Sequence, residues 1–168
     1  MSYQEHQSAA KSIAVRCAIV TLSDTRTLET DVSGRRIAEL LASAQHTVRE
    51  RRVIPDDADK LAQLLEELLG VDDVDAVLTT GGTGISPRDQ AIAVVEKILD
   101  TPLPGFGELF RMLSWQEIGS GAMLSRAVGG VARKKLIFAM PGSTAAVELA
   151  MTNLILPELR HLLHQIRK

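Results

Sequence analysis

The sequence predicts one domain of open, mostly parallel α/β fold, and three observations carry that expectation. Short apolar runs rich in β-branched residues alternate with amphipathic segments at helical spacing. Clusters of Gly, Pro and Asp punctuate the changes from one to the other. The 168 residues, 45% of them hydrophobic, suffice for one core of ordinary size and are few for two.

Residues 1–12, rich in Ser, Gln and Ala, read as a loosely held arm ahead of a single domain over 13–168. Arg16–Leu22 (RCAIVTL) reads as a buried strand. Ser23–Thr30 is a polar loop. Val32–Ala44 carries Ile37, Leu40 and Leu41 on one face and reads as a helix. Thr47–Ile54 alternates as a second strand. Pro55-Asp56-Asp57 breaks the chain, and Asp57 is placed to cap the next helix. That helix, Asp59–Leu69, stacks Leu61, Leu64, Leu65 and Leu68 and ends on Gly70. Asp75–Thr80 is a third strand and runs straight into Gly81-Gly82-Thr83-Gly84. A helix follows from about Asp89 to Leu99, with Ile92, Val95 and Leu99 inward. Beyond Pro102, Pro104 and Gly105, Phe106–Leu113 reads as helical and Trp115–Gly119 as a further turn. Ser125–Ala132 and Lys135–Met140 are strands. Pro141-Gly142-Ser143 is a turn, and Thr144–Arg167 is helical with Pro157 expected to break or kink it.

Composition removes several function classes. A net charge of -2 leaves no basic footprint for general nucleic-acid binding, and 3% aromatic residues make no stacking platform for single strands. Cys17, the single cysteine, sits in an apolar run and reads as a core thiol. No segment resembles a signal peptide, and no apolar stretch reaches the ~18 residues of a membrane span, so a cytoplasmic protein is expected. His161 and His164 share a helical face, His46 and His6 are isolated, and all four read as surface residues without zinc-site spacing. No GxSxG or Cys–His arrangement offers a covalent nucleophile.

Parallel sheets bind ligands beyond the carboxyl ends of their strands, which directs attention to Ser23–Asp31, Pro55–Asp57, Gly81–Asp89 and Pro141–Ser143. Thr79-Thr80-Gly81-Gly82-Thr83-Gly84 joins strand to helix with three glycines and flanking hydroxyls. It is neither a Walker A loop nor a dinucleotide fingerprint, and it reads as an anion-binding turn or as a tight structural one. Asp56 and Asp89 stand in two such loops, where carboxylates would repel a phosphate unless a cation intervened. They read as Mg²⁺-associated groups, with helix capping the competing reading for Asp57 and Asp89. In Ser23-Asp24-Thr25-Arg26, Arg26 suits a phosphate, while Asp24 equally suits local backbone bonding. The block Pro104–Trp115 reads as a pocket wall or subunit contact through Glu108 and Arg111, and as core for its aromatics. Met140-Pro141-Gly142-Ser143-Thr144 reads as an anion nest or a capped helix start.

Taken in order, GGTG, an acidic residue after five, PGFGELFRMLSW, SRA and FAMPGS resemble the MoaB/MogA family of molybdenum cofactor biosynthesis proteins. The likeness extends to related domains of gephyrin and plant cofactor synthases and covers about Val15 to Pro157. It implies a three-layer α/β/α fold with a mixed five-stranded sheet. It also implies a molybdopterin adenylyltransferase: the terminal phosphate of molybdopterin attacks the α-phosphate of ATP, releasing pyrophosphate, and the activated pterin then receives molybdate. The family's two important aspartates match Asp56 and Asp89, which would position Mg²⁺ and phosphates. Ser23, Asp24, Thr80, Gly81, Gly82, Thr83, Gly84, Glu108, Ser125, Pro141, Gly142 and Ser143 would line the molybdopterin and ATP site. Implied partners are further copies of the chain, as trimer or hexamer, and the molybdate-insertion protein. Between Gly84 and Asp89 the segment Ile85-Ser86-Pro87 departs from the MogA pattern. The rival expectation is a binding or scaffolding protein of the same pathway without catalysis.

Overall fold

The central strands form where the sequence is apolar on both sides of the chain, because a parallel sheet is covered on both faces. The computed structural model describes Tyr3 and residues 12–168, so most of the expected arm 1–12 lies outside the described residues. The strands are β1 Arg16–Leu22, β2 Thr47–Ile54, β3 Ala76–Thr80, β4 Thr101–Pro102, β5 Val128–Ala132 and β6 Lys135–Met140. The helices are α1 Val32–Ser43, α2 Ala58–Leu69, α3 Ala91–Ile98, α4 Pro104–Ile118, α5 Thr144–Ala150 and α6 Leu156–Ile166.

One sheet runs in the order β2-β1-β3-β6-β5-β4. β2, β1, β3 and β6 are parallel, while β5 runs against both β6 and β4. The sheet therefore has six strands, where five were expected. The extra one, Thr101–Pro102, is a two-residue exposed edge with no alternation to betray it.

The two-residue period of each strand sends its side chains to two cores. Cys17, Ile19, Leu78, Phe138 and Met140 pack with Ile37, Leu41, Phe106, Phe110 and Val147 of α1, α4 and α5. Ala18, Val20, Val77, Ile137 and Ala139 pack with Leu61, Leu65, Leu68 and Val95 of α2 and α3. The result is a three-layer α/β/α sandwich. Cys17 is fully buried, and burial pushes its thiol up to about 12, as suits an inert core residue.

Three local expectations change. Pro104 opens α4 as one continuous helix to Ile118, because proline is pre-organised for the first turn. Pro157 breaks nothing: the helix widens into a π turn, Met151–Ile155, just ahead of it, which accommodates the missing N–H without ending the helix. Gly70 does end α2, but at φ -82 it adopts an ordinary right-handed conformation.

His46 is not a surface residue. It is 6% exposed, and its Nδ1 accepts the Val15 N–H at 3.1 Å, which satisfies a donor at the entry of β1. His161 and His164 are half-buried, and His6 lies outside the described residues. Burial, with help from the charge of Arg160, pushes His46 down from 6.5 to about 4. The folded state thus holds His46 neutral, and this contribution is complete above pH 6.5 and lost as pH falls toward 4. Over that window stability is expected to drop by up to about 3 kcal/mol. Urea melts of the protein and of His46→Asn, from about pH 7 to pH 4, check this. The variant curve should be flatter, and parallel curves would refute the assignment.

Candidate active site

All four parallel strands end at one edge of the sheet, at Leu22, Ile54, Thr80 and Met140, so the loops that follow them meet. The Ser23 N–H donates to Ile54 O at 2.9 Å and ties the first two loops at their base. Asp24 then clasps three loops at once. Its Oδ1 accepts the Asp56 N–H at 3.1 Å, and its Oδ2 pairs with Arg88 Nη2 at 2.8 Å. The same Arg88 nitrogen reaches Asp56 O at 3.5 Å.

The two aspartates read as possible caps divide. Asp57 does cap α2, accepting the Lys60 N–H at 2.9 Å. Asp89 does not cap α3, whose N-cap is Gln90 without a side-chain bond. Asp89 Oδ2 instead accepts the Ser86 N–H at 2.9 Å and shapes its own loop.

The glycine turn brings Asp56 into place. Gly81 and Gly82 take φ 96 and φ 64, a region that side chains resist. A β-carbon on Gly82 would sit 2.7 Å from Asp56 Oδ1, and one on Gly81 would sit 2.4 Å from Leu22 O. The turn is also partly committed to structure. The Gly81 N–H donates to Met140 O at 3.1 Å, which removes that donor from any anion cradle. Thr80 Oγ1 donates to Pro141 O at 2.9 Å, lacing β3 to the turn after β6.

Asp56 is half-buried beside two other carboxylates. Burial, and then the charges of Asp89 and Asp24, push its carboxyl above the usual value, against the pull of Arg88. Asp56, Asp89 and Asp24 thus present hard oxygen donors with an excess of negative charge, the chemistry that suits Mg²⁺. Among the described residues, no group of three or more His, Cys, Asp or Glu is placed to hold a metal ion by itself. A cation here would share its coordination with ligand oxygens.

The remaining expected residues line three cavities around this edge. Ser23, Thr80, Gly142 and Ser143 face one of about 350 Å³, with Arg26 on its wall. Ser125, Pro141 and Ser143 face one of about 220 Å³. Glu108 lies in a third, of about 550 Å³, with Arg111 and Arg126. Glu108 therefore faces a different cavity from Ser23 and Gly142. Ser143 Oγ accepts the Ala146 N–H at 3.2 Å, so the Pro-Gly turn starts a capped helix.

Several residues that hold the site were not singled out from the sequence. Ser33, fully buried, donates to Gly142 O at 2.8 Å and accepts from Arg26 Nη1 at 3.2 Å. Asp31, 1% exposed, caps α1 through the Gly34 N–H at 2.9 Å and accepts from Thr21 Oγ1 at 2.8 Å. Arg126 Nη1 donates to Gly84 O at 2.9 Å and steadies the far end of the glycine turn. A buried Asp at the start of α1 was the one available signal, since an Asp ahead of an apolar helical run marks an N-cap. Among the described residues, no helix is long and apolar enough to cross a membrane.

Comparison with known proteins places the chain in a family. Residues 18–161 match the family described as "Probable molybdopterin binding domain". The chain is 50% identical over 169 residues to "Molybdenum cofactor biosynthesis protein B" of Bacillus cereus, covering 100% of this chain and 99% of that one. A crystal structure of a molybdenum cofactor biosynthesis protein B superposes with a TM-score of 0.90 at 52% identity, over 92% of this chain and 97% of that chain. The tungsten cofactor synthesizing protein MoaB from Pyrococcus furiosus superposes with a TM-score of 0.83 at 32% identity, over 92% and 98%. Fold, domain match and whole-length identity converge, and the chain belongs to the MoaB family of molybdenum cofactor biosynthesis proteins.

Proposed function

We propose that this protein adenylylates molybdopterin. The observation that supports the reading best is the gathering of Asp24, Asp56 and Asp89 beside the glycine turn, with Asp24 clasping the Asp56 N–H and Arg88, at the carboxyl edge of four parallel strands. An oxygen of the molybdopterin phosphate would form a bond to the α-phosphorus of ATP. The bond from that phosphorus to the bridging oxygen would break, and pyrophosphate would leave.

A phosphate monoester is already an anionic nucleophile, so the reaction needs no strong general base. The barrier is repulsion and alignment between two polyanions. Mg²⁺ held by Asp56 and Asp89 would supply neutralisation of phosphate charge. Ser23, Thr80, Gly142 and Ser143 would hold one substrate by hydroxyl and backbone contacts, with Arg26 as a cation for its phosphate. Gly82 and Gly84 let the Asp56 and Asp89 carboxylates lie close against the turn, with Thr83 buried between them, while Gly81 secures the turn. Glu108 and Ser125 would line the more distant parts of the two substrates.

The reading extends to assembly. Leu109, Met112, Trp115 and Ile118 leave an exposed apolar face on α4, continued by Met123 and Leu124. Such a face supports a homo-oligomer, trimer or hexamer. Hand-over of the product to a molybdate-insertion protein in the cytoplasm completes the proposed role.

The test mixes purified protein with molybdopterin, Mg²⁺ and ATP and looks for adenylyl-molybdopterin and pyrophosphate by mass spectrometry. Stoichiometric appearance of both supports the reading. Tight pterin binding without either product would replace it with the scaffold role.

A further inference from the structure

We propose that Arg88 is the site's built-in counter-ion, which exchanges Asp24 for a phosphate oxygen when a metal–nucleotide complex arrives. The inference rests on the adenylylation reading for its choice of ligand and for nothing else.

Among the described residues, Arg88 is the one guanidinium paired with a carboxylate of the aspartate cluster. Its Nη2 lies 2.8 Å from Asp24 Oδ2 and 3.5 Å from Asp56 O, so it bridges the loops after β1 and β2 from its own position after β3. Three carboxylates against this one guanidinium leave two uncompensated negative charges, the charge of one divalent cation.

Two features make the pair exchangeable. The backbone beneath Arg88 is a fixed turn: the Asp89 N–H donates to Ser86 O at 2.9 Å, and Asp89 Oδ2 accepts the Ser86 N–H at 2.9 Å. Only the side chain needs to move. That side chain is 66% exposed and Asp24 is 42% exposed, and ion pairs in such surroundings are among the weakest stabilising contacts in proteins. A phosphate presents the same fork-shaped acceptor as a carboxylate, with more charge. By contrast, Arg126 is tied to the glycine turn and Arg26 to buried Ser33, so both are set in place before a ligand arrives.

Arg88→Gln gives two effects of opposite sign. Without its counter-ion, the aspartate cluster should bind Mn²⁺ alone about three- to fivefold more tightly, read by electron paramagnetic resonance of the free ion. ATP at saturating Mg²⁺ should bind roughly tenfold or more weakly, read by isothermal titration calorimetry. Arg88→Lys keeps the charge but loses the fork, so Mn²⁺ affinity should stay near that of the parent while ATP affinity falls partway. A residue that only shaped the loop would weaken both ligands together. Parallel losses, an unchanged affinity for either ligand, or no Mn²⁺ binding by parent and variant alike would each overturn the proposal. Both readouts are independent of adenylyl transfer, so a non-catalytic protein could still meet or fail them.

Discussion

Asp89→Asn is expected to slow adenylyl transfer by on the order of 10²- to 10³-fold, the cost of removing one preorganised electrostatic group from a transition state. The substitution separates charge from shape. Asparagine keeps an oxygen where Asp89 Oδ2 accepts the Ser86 N–H, so the turn over 86–89 retains its hydrogen bond. Asp89 makes no cap bond to α3, so helix stability is untouched. What changes is the charge beside Asp56, whose carboxyl is raised by burial first and by Asp89 next. Loss of that charge should let Asp56 ionise at lower pH, visible as a shifted carboxyl titration by nuclear magnetic resonance. Lost activity with an unchanged melting temperature and the shifted Asp56 titration supports the assignment. Full activity in this variant would remove Asp89 from the chemistry.

The degree to which the site was legible follows from where its information lies. Asp56 and Asp89 stood out because each lies in a loop after a legible strand, the alternating Thr47–Ile54 and the apolar Asp75–Thr80, and ligand loops follow such strands. The same rule reached Ser23, Asp24 and Gly81–Gly84. What it did not reach is pairing. Asp24 meets Asp56 across 32 positions of sequence, and nothing in either segment specifies that contact. Arg88 was visible only as a neighbour of Asp89, because its role lies in the loop it reaches. Ser33 sat unnoticed in a helix start, since its partner, Gly142, is 109 positions away.

The fold shows the same division. Strands buried on both faces announced themselves, while β4 has two exposed residues and no period. His46 stands in a polar turn after α1, and its partner, the Val15 N–H, lies 31 positions away in sequence. The core reading of the α4 aromatics holds for Phe106 and Phe110 but not for Trp115, which is 61% exposed on the face proposed for self-association. Periodicity assigns residues to faces but does not say which face finds a partner.

Gly81→Ala is expected to lose activity for a different reason and with a different signature. At φ 96 an alanine is strained by conformation alone, and its β-carbon would meet Leu22 O at 2.4 Å. That neighbour is backbone, so no side-chain rotation relieves the contact. Either the end of β1 or the end of β3 must move. The cost should be roughly 2–4 kcal/mol, measured by urea denaturation. The displaced ends carry Ser23 and Asp24 on one side and Thr80 on the other, so the Asp24 clasp on Asp56 and Arg88 should loosen as well. Gly105→Ala supplies the control, since a β-carbon there has no neighbour within 4 Å. It lies early in α4, and its effect should be neutral or slightly stabilising. A Gly81→Ala protein as stable and active as the Gly105→Ala protein would show that the turn tolerates a side chain. The positive-φ geometry would then have no part in building the site. An inactive but fully stable Gly81→Ala protein would place the defect in ligand contact alone. The expected joint loss marks the turn as the structural hinge on which the two ends of the aspartate clasp are aligned.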